Sequence, residues 1–413
     1  MKKAFTVLCA VLCVAACTKD LEPSEDILLE GEELNLKGFG ENYRKLFVLN
    51  EGGLGANNAT LDVLRLQRGM YVSSAFRKMN PAVSGGLGDV GNDIALHGEE
   101  LWMVINNSGI VEVVSAFDET EIAAIPVPTP RNIAFDDNYA YVTSWAGAYA
   151  SGTYDDKGVY TITDSSNPKG CVYRINLKTK KIEGTVEVGL QPEGIACYGG
   201  RLYVANSGGI SSQLPPLYAY DNTLSIIDAA SFKLVQTIEV AMNLKSVWSD
   251  GKGAVYVTSM GNFWDAHTGL YVMYADNPSK VALVGSGTAI KPEALHVSCS
   301  CFADGAVYCI GTEDEFNWSV PHKYYIWSCK ITDYASGECT ISLYPQTLSG
   351  TPYGMTVVKA SGAEADSKHY LVLGDAGDYF NPGTVSCYAL EFNDGEKYWS
   401  VNAGVCPGHF AIW

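Results

Sequence analysis

The chain has 413 residues and is acidic, with 46 Asp and Glu against 28 Lys and Arg and a formal charge of −18. A surface of that sign repels phosphate backbones, which argues against nucleic acid as a partner. Hydrophobic residues make up 47% of the chain, enough for a large core and too many for a disordered segment.

In chain order, the first element is a secretory signal. Lys2 and Lys3 form a basic start, Ala4 to Val14 is a short apolar run, and Ala15-Ala16-Cys17 closes it. The apolar run is too short to span a bilayer. Two small residues before a cysteine resemble a bacterial lipobox, which implies removal of residues 1–16 and acylation of Cys17. Acyl chains attach a protein to a membrane without a span. Loss of Lys2 and Lys3 takes the charge to about −20. The following Thr18-Lys19-Asp20-Leu21-Glu22 partly matches the Lys-acidic export signal of surface lipoproteins, with Leu21 interrupting the acidic pair. Residues 17–44, acidic and poor in aromatics, read as the acylated cysteine and a flexible tether. No later stretch holds 18 uninterrupted apolar residues.

From residue 45 to 413 the chain repeats. The cleanest copy covers 190–241 and reads as four strands: Gly194 to Tyr198, Arg201 to Ala205, Thr223 to Asp228 and Leu234 to Val240. Short β-branched and aromatic runs bounded by Gly, Asn and Asp are strand signals. Related copies start near 88, 130, 244, 291 and 351, with apolar anchors at Ile94, Ile133, Ile195, Val247, Leu295, Met355 and Phe410. Their spacing is that of four-stranded propeller blades. Phe410 has too little chain after it for another blade. The front of the domain has the reverse shortage: Leu46 to Asn50, Thr60 to Leu66 and Gly69 to Ala75 are three strands without a first. Pro407–Trp413 supplies that first strand, so the two terminal segments close the ring. The fold expected is therefore all-β, a seven-bladed β-propeller. Six or eight blades fit if an irregular stretch such as 264–290 is miscounted.

Long insertions fall between the second and third strands of the blades: 144–170, 207–222, 261–269, 313–325 and 375–383. Those loops emerge on one face, where binding residues concentrate on a rigid scaffold. They carry rigid aromatics with amides and carboxylates, a mixture suited to a large, partly polar ligand. The candidate ligand-binding residues are Trp145, Tyr149, Tyr218, Tyr220, Asn222, Asn262, Phe263, Trp264, Phe316, Asn317, Trp318, Asp378, Tyr379 and Phe380. His267 and His322 lie in the same loops and His97 in a surface turn.

Catalytic constellations are absent from the pattern: no G-x-S-x-G, no HExxH and no phosphate loop. Neither a catalytic residue, a resident cofactor nor a metal is expected. Asp89 with Asp93, and Glu193 with Glu293 in the copies QPEGI and KPEAL, either bind a cation at the axis or hydrogen-bond to neighbouring blades. Nine cysteines lie beyond Cys17, none in C-x₂-C spacing. They read as small buried hydrophobes in strands, or as one hairpin disulfide between Cys329 and Cys339 with the rest buried.

NEGGLGANNATLDVL (50–64), GLQPEGIACYGGRLYVANSGG (189–209), DNTLSIIDAASFKLVQTIEVA (221–241) and TPYGMTV (351–357) resemble the YncE-like propeller lipoproteins of Gram-negative gut bacteria, over residues 45–413. That family includes BtuG-type cobalamin-capture proteins. The resemblance implies a non-enzymatic, surface-exposed, outer-membrane lipoprotein that binds cobalamin or another corrinoid and hands it to a TonB-dependent transporter. A glycan or protein ligand is the alternative; a metal-dependent lyase or lactonase is the third reading.

Overall fold

The computed structural model describes residues 30–36, 39, 42–145, 152–154, 160–162, 170–208, 220–262, 267–286, 295–312, 322–334, 337–361, 367–391 and 397–413. The chain forms seven antiparallel sheets of at least four strands, arranged as a seven-bladed β-propeller. Blade 1 takes its innermost strand, Pro407–Ile412, from the far end of the sequence and the others, Lys45–Asn50, Thr60–Arg65 and Met70–Val72, from the front. Blades 2 to 7 follow in order, with inner strands Gly91–His97, Pro130–Phe135, Pro192–Tyr198, Leu244–Ser249, Cys299–Ala303 and Pro352–Lys359.

Blade 4 shows why these residues make these strands. Gly199 and Gly200 both have positive φ (59° and 73°), the conformation a two-residue hairpin turn needs. Beyond the turn, Arg201–Asn206 alternates between two interfaces. Leu202 and Val204 pack against Tyr141 and Val172 of blade 3, while Tyr203 and Ala205 pack against Val255 and Val257 of blade 5. Both faces of a middle strand are buried, and each fully buried aliphatic contributes about 1.5–3 kcal/mol. The same alternation builds an apolar core in each of the seven gaps between blades. Prolines open four inner strands, where the first residue has no ladder N–H to give up. Gly194 permits close approach: a Cβ there would stand 2.6 Å from Val247 N of the next inner strand.

The ring closes as the repeat count required. Leu46 pairs with Ile412 and Val48 with Phe410. Trp413 exchanges backbone hydrogen bonds with Lys45, and its ring lies edge-on to Phe117 (centroids 4.6 Å) with the Arg44 guanidinium 5.0 Å away. Beneath it, Lys45 Nζ donates to Glu119 Oε1 (2.6 Å) and Ala116 O (2.8 Å), and Arg65 Nη2 donates to Glu119 Oε2 (2.9 Å).

Two expectations need correction. The stretch expected as a free tether is docked from Glu30 onward in its described part. Glu32–Glu33 adds a fifth strand to blade 1, opposite Tyr71 and Met70. Phe39 inserts edge-on against Tyr370 and Trp399, each at 5.6 Å. The reason is composition: Leu34, Leu36 and Phe39 are apolar enough to bury. In blade 6 the anchor is not Leu295. By register Ser300, opposite Cys309, takes the place Ile195 has opposite Val204. Leu295 instead packs earlier, against blade 5. Glu293, expected as the counterpart of Glu193, lies outside the described residues. Of the two readings of the cysteines, the unpaired one is observed: all nine described cysteines are free thiols, buried or half-buried, and Cys329 hydrogen-bonds to Cys339 across the Tyr324–Asp333 and Glu338–Leu348 strands.

Candidate functional site

Each of the five long insertions joins the second strand of a blade to its third; in blade 3 the insertion also contains a hairpin of Gly152–Tyr154 with Tyr160–Ile162. The inner strands begin on that same loop-rich face. They enclose a cavity of about 690 Å³ along the axis. Its walls change character with depth. At the mouth, Asn92, Arg131, Lys245 and Tyr353 are each the second residue of an inner strand, and Glu51 leans in from the blade 1 loop. Deeper, the wall is formed by Ile94, Ile133, Ile195, Val247, Met355 and Phe410. The anchors found in sequence are thus the apolar waist of the channel, below a charged rim.

Glu193 organises the rim. Arg131 donates to it from Nε (3.2 Å to each oxygen) and from Nη2 (3.1 Å to Oε2), and Lys245 Nζ stands 3.5 Å from Oε2. The three residues come from blades 3, 4 and 5, so the carboxylate ties neighbouring blades together. Burial alone would push Glu193 up; Arg131 and then Lys245 outweigh it and hold the carboxyl below its usual range. Arg131 also lies over the Trp145 ring, 4.3 Å from its centroid, a cation–π contact. Across the mouth Tyr353 donates its hydroxyl to Glu51 Oε2 and meets Tyr379 edge-on at 5.9 Å. Burial raises Glu51 from its ordinary value, opposed by the Tyr353 bond.

The second tier is spent on the scaffold. Asp93 Oδ2 accepts from Ile133 N and Oδ1 from Ile94 N (both 2.9 Å), and burial raises it to about 6. Asp89 Oδ2 accepts from Gly55 N (2.9 Å) and Asn107 Nδ2 (2.6 Å). Of the two uses expected for these acids, bonding between neighbouring segments is the one observed. His409, half-buried in the cavity wall, is pushed down to about 3 by desolvation, then by Lys245 and Arg131. Among the described residues no group of three or more His, Cys, Asp or Glu is placed to hold a metal ion.

Two of the sequence candidates reach this mouth: Tyr379 lines the cavity and Trp145 supports Arg131. Phe380, beside Tyr379, is 85% exposed on the same loop. Asp378 is a turn residue: its Oδ1 accepts from Phe380 N (2.9 Å) and Asn381 N (2.8 Å), which shapes the loop. Tyr220, Asn222 and Asn262 sit at loop ends and do not line the cavity; Asn222 O accepts from Val240 N. Cys17, Tyr149, Tyr218, Phe263, Trp264, Phe316, Asn317 and Trp318 lie outside the described residues. His322 lines the cavity, His267 stacks on His296 (5.6 Å), and His97 stacks on Phe135 (5.0 Å). Sequence reasoning missed Glu51, Arg131, Lys245 and Tyr353. The signal for two of them was there: Pro130-Arg131, Pro192-Glu193 and Pro352-Tyr353 put a polar side chain after the opening proline in three copies.

No protein-family model and no curated protein matches the chain. Among solved structures it is similar to hydrazine synthase of Kuenenia stuttgartiensis, at 15% identity and a TM-score of 0.51, covering 77% of this chain and 88% of that one. It is also similar to a quinonprotein alcohol dehydrogenase-like protein of Bacteroides thetaiotaomicron, at 11% identity and a TM-score of 0.52, covering 89% and 78%. Likeness at these identities establishes the propeller fold alone.

Proposed function

We propose that this protein is a capture protein, not an enzyme, and that it takes a large, partly polar ligand at the loop-rich mouth of the channel. A corrinoid is the first candidate. The observation that carries this is the graded wall: aromatics and charges at one end of the axis, an apolar waist behind them. A corrinoid offers amide side chains, a phosphate and an aromatic base, which suit donors such as Lys245 and rings such as Tyr379. Its cobalt arrives already ligated, so no protein metal site is required. The acids at the axis are engaged with one another's blades, which leaves little for general acid–base work. In the same reading, Cys17 carries the lipid on the outer membrane at the cell surface. The ligand passes on to a TonB-dependent transporter.

Calorimetry of the purified protein with cyanocobalamin tests the reading. Saturable heat and co-elution are expected; their joint absence sinks it. The exposed Phe380 favours one second reading, a glycan or protein partner, because an open aromatic ring suits a sugar face or an apolar side chain. Heat with oligosaccharides and none with cobalamin would select it.

A further inference from the structure

The two cations on Glu193 are not equivalent. Arg131 is fixed: three contacts to the carboxylate, a ring against its face, and a side chain only 11% exposed. Lys245 is 49% exposed although it lies inside the ring of blades. Its 3.5 Å contact is to an oxygen that Arg131 already occupies. An ammonium has three N–H donors, and one long contact uses at most one of them.

Lys245 acts on Glu51, Asp93 and His409 through its charge alone, and the hydrogen bonds of the two acids go elsewhere. Glu51 takes the Tyr353 hydroxyl, Asp93 takes two backbone N–H groups, and His409 is neutral. Arg131 therefore does two things. It keeps Glu193 from closing fully on Lys245, and it adds a second positive charge behind it. A cation with spare donors, inside a partly dehydrated cavity, attracts an oxyanion more strongly than one on an open surface.

We infer that Lys245 is the ligand-contacting cation of the mouth and that the ligand class it selects carries a carboxylate or phosphate oxygen. Arg131 is a positioning residue. The anion meets Lys245 inside the cavity, and the apolar part of the same ligand faces Ile133, Ile195 and Val247. This deepens the capture reading and rests on it for the identity of the mouth, but not on a corrinoid being the ligand.

The test is protection of the amine. The full chain is acetylated with an N-hydroxysuccinimide ester while inorganic phosphate is raised against chloride at constant ionic strength. Peptide mass spectrometry gives the rate at each lysine. Phosphate should slow Lys245 saturably, by about tenfold, and leave Lys178 and Lys359 within about twofold. In Glu193→Gln the lost competitor should move protection to about tenfold lower phosphate; if that variant fails to fold, Arg131→Lys should move it the other way. Equal slowing by chloride, or slowing of all three lysines together, overturns the assignment. Protection without cobalamin heat keeps the anion site and removes the corrinoid. Cobalamin heat without protection does the reverse.

Discussion

Among the described residues the same charge motif occurs twice, a buried carboxylate between two cations, and the two copies are used differently. At the closure seam Glu119 is held by Lys45 and Arg65; at the channel mouth Glu193 is held by Arg131 and Lys245. Lys45 is buried like its carboxylate, at 7% exposure against 0%, and burial lowers it from its ordinary value against the pull of Glu119. Its donors are filled by Glu119 and two carbonyls, Ala116 O and Phe117 O. Lys245 has a single long contact and faces a cavity. What separates a clasp from a binding group is thus not the residue types but whether the cation's remaining donors are satisfied by protein.

Three substitutions sharpen that contrast. The largest effect belongs to the seam. Glu119→Ala leaves the buried Lys45 ammonium without its counter-charge and should cost about 3–5 kcal/mol in urea unfolding, with the anion response of Lys245 unchanged. An effect confined to Lys245 would mean that the seam is not a clasp. The middle effect comes from a carboxylate with no cation. Glu112 is buried in the third strand of blade 2, its Oε1 has no hydrogen-bond partner, and burial, then Glu121, raises it to about 8. An acid raised on folding destabilises the fold above its unfolded value. The penalty is absent below about pH 4.5, grows as pH rises and is complete above about 8. Glu112→Gln should therefore raise stability at pH 8.5 by about 1–3 kcal/mol, the usual cost of an unsatisfied buried group. The gain should vanish near pH 4; a pH-independent gain would contradict the titration. The smallest effect is at the mouth: Lys245→Met should shift unfolding by no more than about 0.5 kcal/mol, because an exposed, loose ion pair contributes little. A loss of several kcal/mol there would make it a second clasp.

Most of the scaffold was legible in the sequence for a physical reason. In blade 4 the period-2 alternation and the Gly199-Gly200 turn locate the strands within two residues of where they lie. Ring closure was legible because Phe410 began a repeat that had no room to finish. Blade 6 misled because KPEAL copies the letters of QPEGI but not its register, and letters carry no pairing information. The mouth was harder to read. Arg131 and Lys245 look like ordinary solvent-facing charges on strands, and only the ring brings them onto one carboxylate. Asp378 sits in an aromatic loop, and that its oxygens fold the loop is visible only in the structure.

The way blade 1 is assembled bears on how the protein is made. Gly404 N reaches Asp62 across 342 positions of chain, and the inner strand of the blade follows it directly. At usual synthesis rates those positions take roughly 20–70 s to appear. Throughout that time Lys45–Asn50, buried at every residue in the finished ring, has no partner on its inner side. An unpaired apolar edge is the place where another chain adds a strand. The segment most able to recruit a wrong partner is therefore the one that must wait longest for the right one.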